Sequence, residues 1–337
     1  MDQIERVGLI GHSLRKIMID VFIKQSLRKR AALIASSFIF LAACSPSREG
    51  ASAPRLQPGE GDRIVFLGNA FFEQAIRHGE LETSLALRWP DRKLTFRNIG
   101  WSGDTVFGHS RTFGRRGAKF GGPEAGFDKM NQHLQELDPD IVFVAYGFNE
   151  SFEEAEGLDS FRQGAQRLLD RLGELNSEIV LVSPTPMEDG FGPPAEYVEK
   201  RNAYLQSYSK EVKALAESRG HAYVDLFKSL KSEARTYSKD GIHPSGDGYR
   251  RISHIIAEAL GLPEPIARLD SEEAAQIRSE IVEKNQLFFH RWRPRNDAFV
   301  FGERKDEQRI AQMEPAQIEP FVESKESIIN TLLEAQL

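Results

Sequence analysis

Four short blocks concentrate residue types able to do chemistry: Gly68-Asn69-Ala70, Asn98-Ile99-Gly100-Trp101-Ser102-Gly103-Asp104-Thr105, Gly147-Phe148-Asn149-Glu150 and Asp240-Gly241-Ile242-His243-Pro244. An imidazole such as that of His243 exchanges protons near neutral pH. A lone Asp-x-x-His is commonplace, so the weight falls on whether the fold gathers the blocks. Four other histidines, His78, His133, His221 and His254, fall on expected helices or their ends and read as surface or core residues. No pair among them has zincin spacing. A single cysteine excludes an intrachain disulfide and a cysteine metal cluster. No metal and no cofactor are expected.

Each block sits near the end of an expected strand. Short apolar runs predict strands at 63–67, 94–98, 141–146, 178–183 and 222–226. Helical spacing covers 71–89 despite Gly79, and also 127–137 and 158–175. It continues over 195–219, closed by Gly220, and over a helix capped by Ser245 that runs to about Leu260. Strands separated by helices predict an α/β three-layer sandwich: a five-stranded parallel, flavodoxin-like sheet with helices on both faces. Ligands bind such sheets at the carboxyl ends of the strands. The glycine-rich stretch 114–126 lacks the Lys-Ser/Thr ending of a phosphate loop.

Composition narrows the function classes. The chain has 337 residues, 40% hydrophobic and 28% charged, with a net charge of -6. These values exclude a disordered chain and a multi-span membrane protein. An acidic balance argues against nucleic-acid binding.

In order and spacing, the four blocks resemble the SGNH (GDSL-type) hydrolase family over about residues 62–262. The resemblance implies hydrolysis of esters, often acetyl or acyl groups on carbohydrates or lipids. It implies that Gly103 lends its backbone N–H and Asn149 its side-chain amide to an oxyanion hole. It implies that His243 is the base with Asp240 beside it, orienting the ring or offering it a carbonyl oxygen. The departure is at the nucleophile, where the family's serine is Ala70 and the residue before it is Asn69. A methyl group can neither attack a carbonyl nor give a proton to His243.

Three readings follow. In the first, His243 activates water directly. In the second, the protein is a catalytically silent carbohydrate-binding or surface-complex member. In the third, a displaced nucleophile works, with Ser102 the nearest in sequence. Glu150 reads as a solvated loop acid, or else as a water-activating carboxylate. Asn149 can equally be a cap and His243 a turn residue before Pro244. Trp101 and His109 flank the expected cleft and can line it or pack.

The first 43 residues read as an address. A basic stretch (Lys24, Arg28, Lys29, Arg30) precedes the uncharged run AALIASSFIFLAA, which ends at Cys44. Thirteen residues are too few to span a bilayer, which takes about 20. They suit a secretory signal, and Leu41-Ala42-Ala43-Cys44 resembles a bacterial lipobox. Met18 is an alternative start. The expectation is an exported protein, lipid-anchored at Cys44, facing the periplasm or cell exterior. Residues 44–61 form a tether. Seven basic and three acidic groups precede Cys44, leaving 37 basic against 47 acidic after it. A lipid, not a basic patch, would therefore hold the body to a membrane.

Residues 263–337 form a C-terminal helical extension. A helix over 270–289 ends in Phe288-Phe289-His290-Arg291-Trp292-Arg293-Pro294-Arg295-Asn296, and a short helix covers 321–333. Docking of this aromatic, basic segment on the core or on a second copy is the plain expectation. An arm over the cleft, with Trp292 stacking on sugar, is the alternative.

Overall fold

The computed structural model describes residues 56–111, 124–232, 236–293 and 313–337. The signal and Cys44, most of the tether and of the glycine-rich stretch, and Pro294-Arg295-Asn296 lie outside them. The described residues belong to one compact unit.

Five strands, β1 (Arg63–Gly68), β2 (Thr95–Asn98), β3 (Ile141–Ala145), β4 (Glu178–Val182) and β5 (Ala222–Val224), form one parallel sheet in the order β2-β1-β3-β4-β5. The order reverses between β1 and β3, so a crevice opens outside their carboxyl ends. Each strand is buried on both faces, with alternate residues in opposite cores. Ile64 and Phe66 of β1 join Phe96, Phe143 and Val180 on one side. Val65 and Leu67 join Val142, Val144 and Ile179 on the other. That is why these strands are continuous apolar runs in sequence.

Nine helices are described: α1 (Ala70–Ala75), α2 (Glu80–Ala86), α3 (Ala125–Leu137), α4 (Leu158–Glu174), α5 (Ala195–Arg219), α6 (Leu226–Lys231), α7 (Gly246–Leu260), α8 (Glu272–Trp292) and α9 (Glu319–Glu334). The single helix expected over 71–89 is two. Gly79 takes φ +66 at the N-cap of α2, a left-handed conformation that stops α1 and restarts the chain. The short α6, capped by the Asp225 carboxylate on Lys228 N–H, has too few turns for a periodic signal. Gly220 (φ +71) closes α5 and the Ser245 hydroxyl caps α7 at Gly248 N–H.

The extension closes an open edge. β2 is an edge strand, and an unpaired edge exposes backbone polar groups. Helix α8 runs along it: Ile277 and Ile281 enter one core, Phe288 and Trp292 the other. Lys284 Nζ donates to the Phe96 carbonyl of β2 at 3.1 Å and also pairs with Glu82. Asn285 Nδ2 donates to the second Glu82 oxygen at 2.9 Å. Burial lowers the Lys284 pKa and raises that of Glu82, so each is held by the other. From α9, Glu326 and Glu319 pair with the buried Arg97 of β2.

Candidate active site

At the carboxyl end of β1 the chain turns directly into α1. Gly68 leaves no room for a side chain, since a Cβ there would lie 2.5 Å from the Ala145 carbonyl of β3. Asn69 is buried, and its side-chain oxygen caps α1 by accepting the Phe71 N–H at 3.0 Å. Ala70 is the first helical residue, and it lines a cleft of about 170 Å³. The cleft is also lined by Asn69, Tyr146, Asn149, Ser183, Thr185 and His243, with Phe71, Phe148, Ile242 and prolines supplying apolar wall.

The opposite wall is the 237–244 loop. His243 Nδ1 lies 2.8 Å from Asp240 Oδ2, while Asp240 Oδ1 accepts the His243 N–H at 2.7 Å and the Ile242 N–H at 3.1 Å. Partial burial pushes the Asp240 pKa up, but these two N–H groups and the ring outweigh it and hold the carboxyl below its ordinary value. Asp240 engages Nδ1, so Nε2 is the ring nitrogen not bonded to it. The loop is stapled from below. Glu188 accepts the Tyr237 N–H at 2.9 Å and the Ser238 N–H at 2.8 Å, and the Ser238 hydroxyl donates to it as well. Its own N–H donates to the Gly241 carbonyl at 2.9 Å.

Between the walls, Asn149 Nδ2 donates to the Asp104 carbonyl at 2.7 Å, tying the β3 end to the loop after β2. Gly103 (φ +78) precedes that carbonyl and is exposed; neither it nor Ser102 is among the residues lining the cleft. The Ser102 N–H donates to Glu73 Oε2 at 2.6 Å. Asp104 is fully buried and accepts from Arg111 Nε at 2.7 Å and Tyr146 OH at 2.9 Å.

One sequence expectation needs correction, and two open alternatives close. Glu150 is not a solvated acid: it is buried, and its two oxygens accept the Val106 and Gly147 N–H groups, each at 2.8 Å. Desolvation pushes its pKa up to about 7 against the pull of those N–H groups. It staples the β3 end from inside and is not among the residues lining the cleft. Trp101 is buried against Trp292, ring centroids 5.5 Å apart, and His109 stacks on Phe107 at 5.4 Å; neither lines the cleft. Trp292 is therefore core, not an arm over the site; it also meets His133 edge-on at 5.2 Å. Burial and nearby cations push the His133 pKa down to about 2, so that ring is neutral.

Two of the cleft's hydroxyls are engaged: Tyr146 donates to Asp104, and Ser183 accepts the Phe227 N–H at 2.9 Å. Among the described residues, no group of three or more His, Cys, Asp or Glu is gathered to hold a metal ion. The arrangement thus offers an oriented imidazole and an amide around a methyl group.

A sequence profile of the GDSL-like lipase/acylhydrolase family matches residues 73–251. The chain belongs to that family. Among curated proteins none matches it. A gut microbial diltiazem-metabolizing enzyme is similar in structure at 12% identity, over 85% of this chain and 97% of its own, with a TM-score of 0.56. A catalytic mutant of an acetylxylan esterase from Geobacillus stearothermophilus aligns over 63% of this chain and 100% of its own, at 18% identity and a TM-score of 0.47. At 12% identity the diltiazem-metabolizing enzyme shares the fold alone, and the family assignment rests on the profile.

Glu188, Glu73 and Asp104 escape a sequence reading as site residues. Each acts through backbone N–H groups or a partner far along the chain, and no local pattern marks such a carboxylate.

Proposed function

We propose that this GDSL-family chain hydrolyses esters, on acylated carbohydrate, without a protein nucleophile. The observation that carries the reading is the His243–Asp240 pair at 2.8 Å, on a cleft it shares with Ala70 and Asn149. His243 Nε2 takes a proton from water as the water oxygen bonds to the ester carbonyl carbon. The tetrahedral oxyanion that forms is met by the Asn149 amide, and the family pattern adds the Gly103 N–H from the loop that Asn149 ties to the β3 end. Collapse breaks the bond to the leaving alkoxide, which takes the proton back from the imidazolium. Asp240 keeps the ring in the tautomer that leaves Nε2 free to accept.

Ala70 stands in this reading where the family's attacking serine would be. Binding and oxyanion stabilisation without a full triad still supply on the order of 10³–10⁴-fold over water in serine proteases. The preference for acylated carbohydrate comes from the family's range of substrates. The methyl at residue 70 supports a second reading, a silent member that binds glycan in the same cleft.

A fluorophosphonate probe run beside an acetyl-ester assay separates the two. Turnover without labelling, lost in His243→Ala by about 10²-fold or more, is the expected result. Labelling would reveal a serine nucleophile instead, and glycan binding with neither signal would favour the silent reading. For location, we propose export and lipid anchoring at Cys44, on the basic-apolar-Cys pattern of residues 24–44. Cys44→Ala is expected to release the protein from membranes, and continued sedimentation with them would refute the anchor.

A further inference from the structure

The loop after β2 is gripped by a carboxylate that answers to the far end of the chain. Glu73 lies on α1, three residues after Ala70. Its Oε2 accepts the Ser102 N–H at 2.6 Å and also the Arg293 Nη1 at 2.6 Å. Arg293 caps the C-terminal end of α8, 220 residues away in sequence. Its guanidinium carbon lies 4.0 Å from the Trp101 ring centroid, and Trp101 packs edge-on against Trp292. The ion pair is mostly shielded, with Arg293 22% and Glu73 17% exposed. One oxygen thus joins α1, the Ser102–Gly103 backbone and the end of the extension. The planar guanidinium is pinned at once by an aromatic face and a carboxylate, an arrangement a point charge on a flexible stem cannot copy.

A backbone donor stabilises developing charge only if it is held where the charge appears. Displacement by about 1 Å can cost about 10²-fold. In the loop after β2, Asn98 Oδ1 accepts the Gly100 N–H at 3.0 Å, the Trp101 N–H donates to the Gly68 carbonyl at 2.9 Å and the Asp104 N–H closes a turn on the Trp101 carbonyl at 2.9 Å. Between these ties, the N–H of Ser102 is fixed from α1, by Glu73. A carboxylate with one backbone donor could still swing about its side-chain bonds, and Arg293 removes that freedom.

We propose that Arg293 and Glu73 are positioning residues of the cleft, and that the C-terminal extension sets the placement of the Ser102–Gly103 backbone through them. The catalytic consequence rests on the ester-hydrolase reading above; the positioning itself does not.

The test uses the full chain and two readouts. The first is amide hydrogen exchange in the 99–105 segment, compared in wild type, Arg293→Met, Arg293→Lys and Glu73→Gln. Arg293→Met keeps much of the stem over Trp101 and removes the charge-assisted bond. It is expected to speed exchange at Ser102 about tenfold, with β3 protection unchanged. Arg293→Lys is expected to restore protection in part, and Glu73→Gln to fall between. Unchanged exchange at Ser102 in both Arg293→Met and Glu73→Gln would overturn the proposal, whatever the enzyme does.

The second readout is kinetic, with Arg293→Met placed in an Ala70→Ser background. It is expected to lower kcat on an aryl acetate about tenfold with KM nearly constant. Faster exchange with kcat unmoved would overturn the placement's role in the cleft. If Ala70→Ser turns over no ester at all, the hydrolase reading fails while the exchange result still decides the positioning.

Discussion

The two walls of the cleft are built from similar parts and put them to different uses. On the 237–244 side, polar groups converge on one imidazole. Asp240 takes two N–H groups and the ring, and Glu188 takes the N–H groups of Tyr237 and Ser238 beneath it. On the β1–α1 side, the polar group serves the helix. The Asn69 oxygen caps Phe71, and the next residue presents a methyl. The carboxylate–imidazole pair is partly exposed, and its orientation comes from the three hydrogen bonds that Asp240 accepts. Under the proposed hydrolysis, proton transfer starts from the imidazole wall, because the β1–α1 wall carries an alanine where a hydroxyl would attack.

The contrast can be tested in order of expected effect. Ala70→Ser returns a hydroxyl to the bare wall, and ester hydrolysis is expected to rise about 10³-fold with fluorophosphonate labelling of the new residue. A folded variant with no gain would show that the residue-70 Cβ is not in line with His243. Glu188→Ala removes the staple of the imidazole wall, leaving two backbone donors short of an acceptor. Unfolding free energy is expected to drop by about 3 kcal/mol in a denaturant titration. An unchanged midpoint would show that the wall holds itself.

Glu150→Gln probes the buried acid behind both walls. Its pKa, pushed up to about 7 from an ordinary 4.5, means that the folded state holds the proton more tightly than the unfolded chain. Its contribution to stability therefore falls as pH rises from about 4.5 to about 7. The stability advantage of wild type over Glu150→Gln is expected to shrink by about 2 kcal/mol between pH 5 and pH 8. A pH-independent difference would place the burial penalty elsewhere. The smallest effect is expected of Asn69→Ala, about 1 kcal/mol of stability from a lost helix cap. A larger loss would show that Asn69 does more at this wall than cap α1.

Much of the fold is legible from one sequence because it depends on nearest neighbours along the chain. The apolar runs at 141–145 and 178–182 can hardly be anything but strands buried on both faces. Gly220 and Ser245 stop and start helices through their own backbone and hydroxyl. His243 and Asp240 are three residues apart, so their pairing is a local turn. The failures are of two kinds. At Gly79 a helical pattern runs unbroken through a residue that takes a left-handed turn, since apolar spacing records burial and not φ. At Glu150, a charged letter in a loop block reads as solvated. Its partners are the backbone N–H groups of residues 106 and 147, and N–H groups are present at every position but proline.

The sequence by itself determined the alternation of strands and helices, the placement of the four blocks near strand ends, and the absence of a hydroxyl at residue 70. Those are properties of covalent order and of short-range backbone preference. Only the tertiary structure decided that α8 seals the β2 edge and buries Trp292 as core. It alone decided that Asp104, Glu150 and Glu188 hold loops, and that Glu73 meets Arg293. The reason is physical: an ion pair or a backbone hydrogen bond acts over about 3 Å of space, and 220 residues of chain leave no trace in sequence of which charges will come that close.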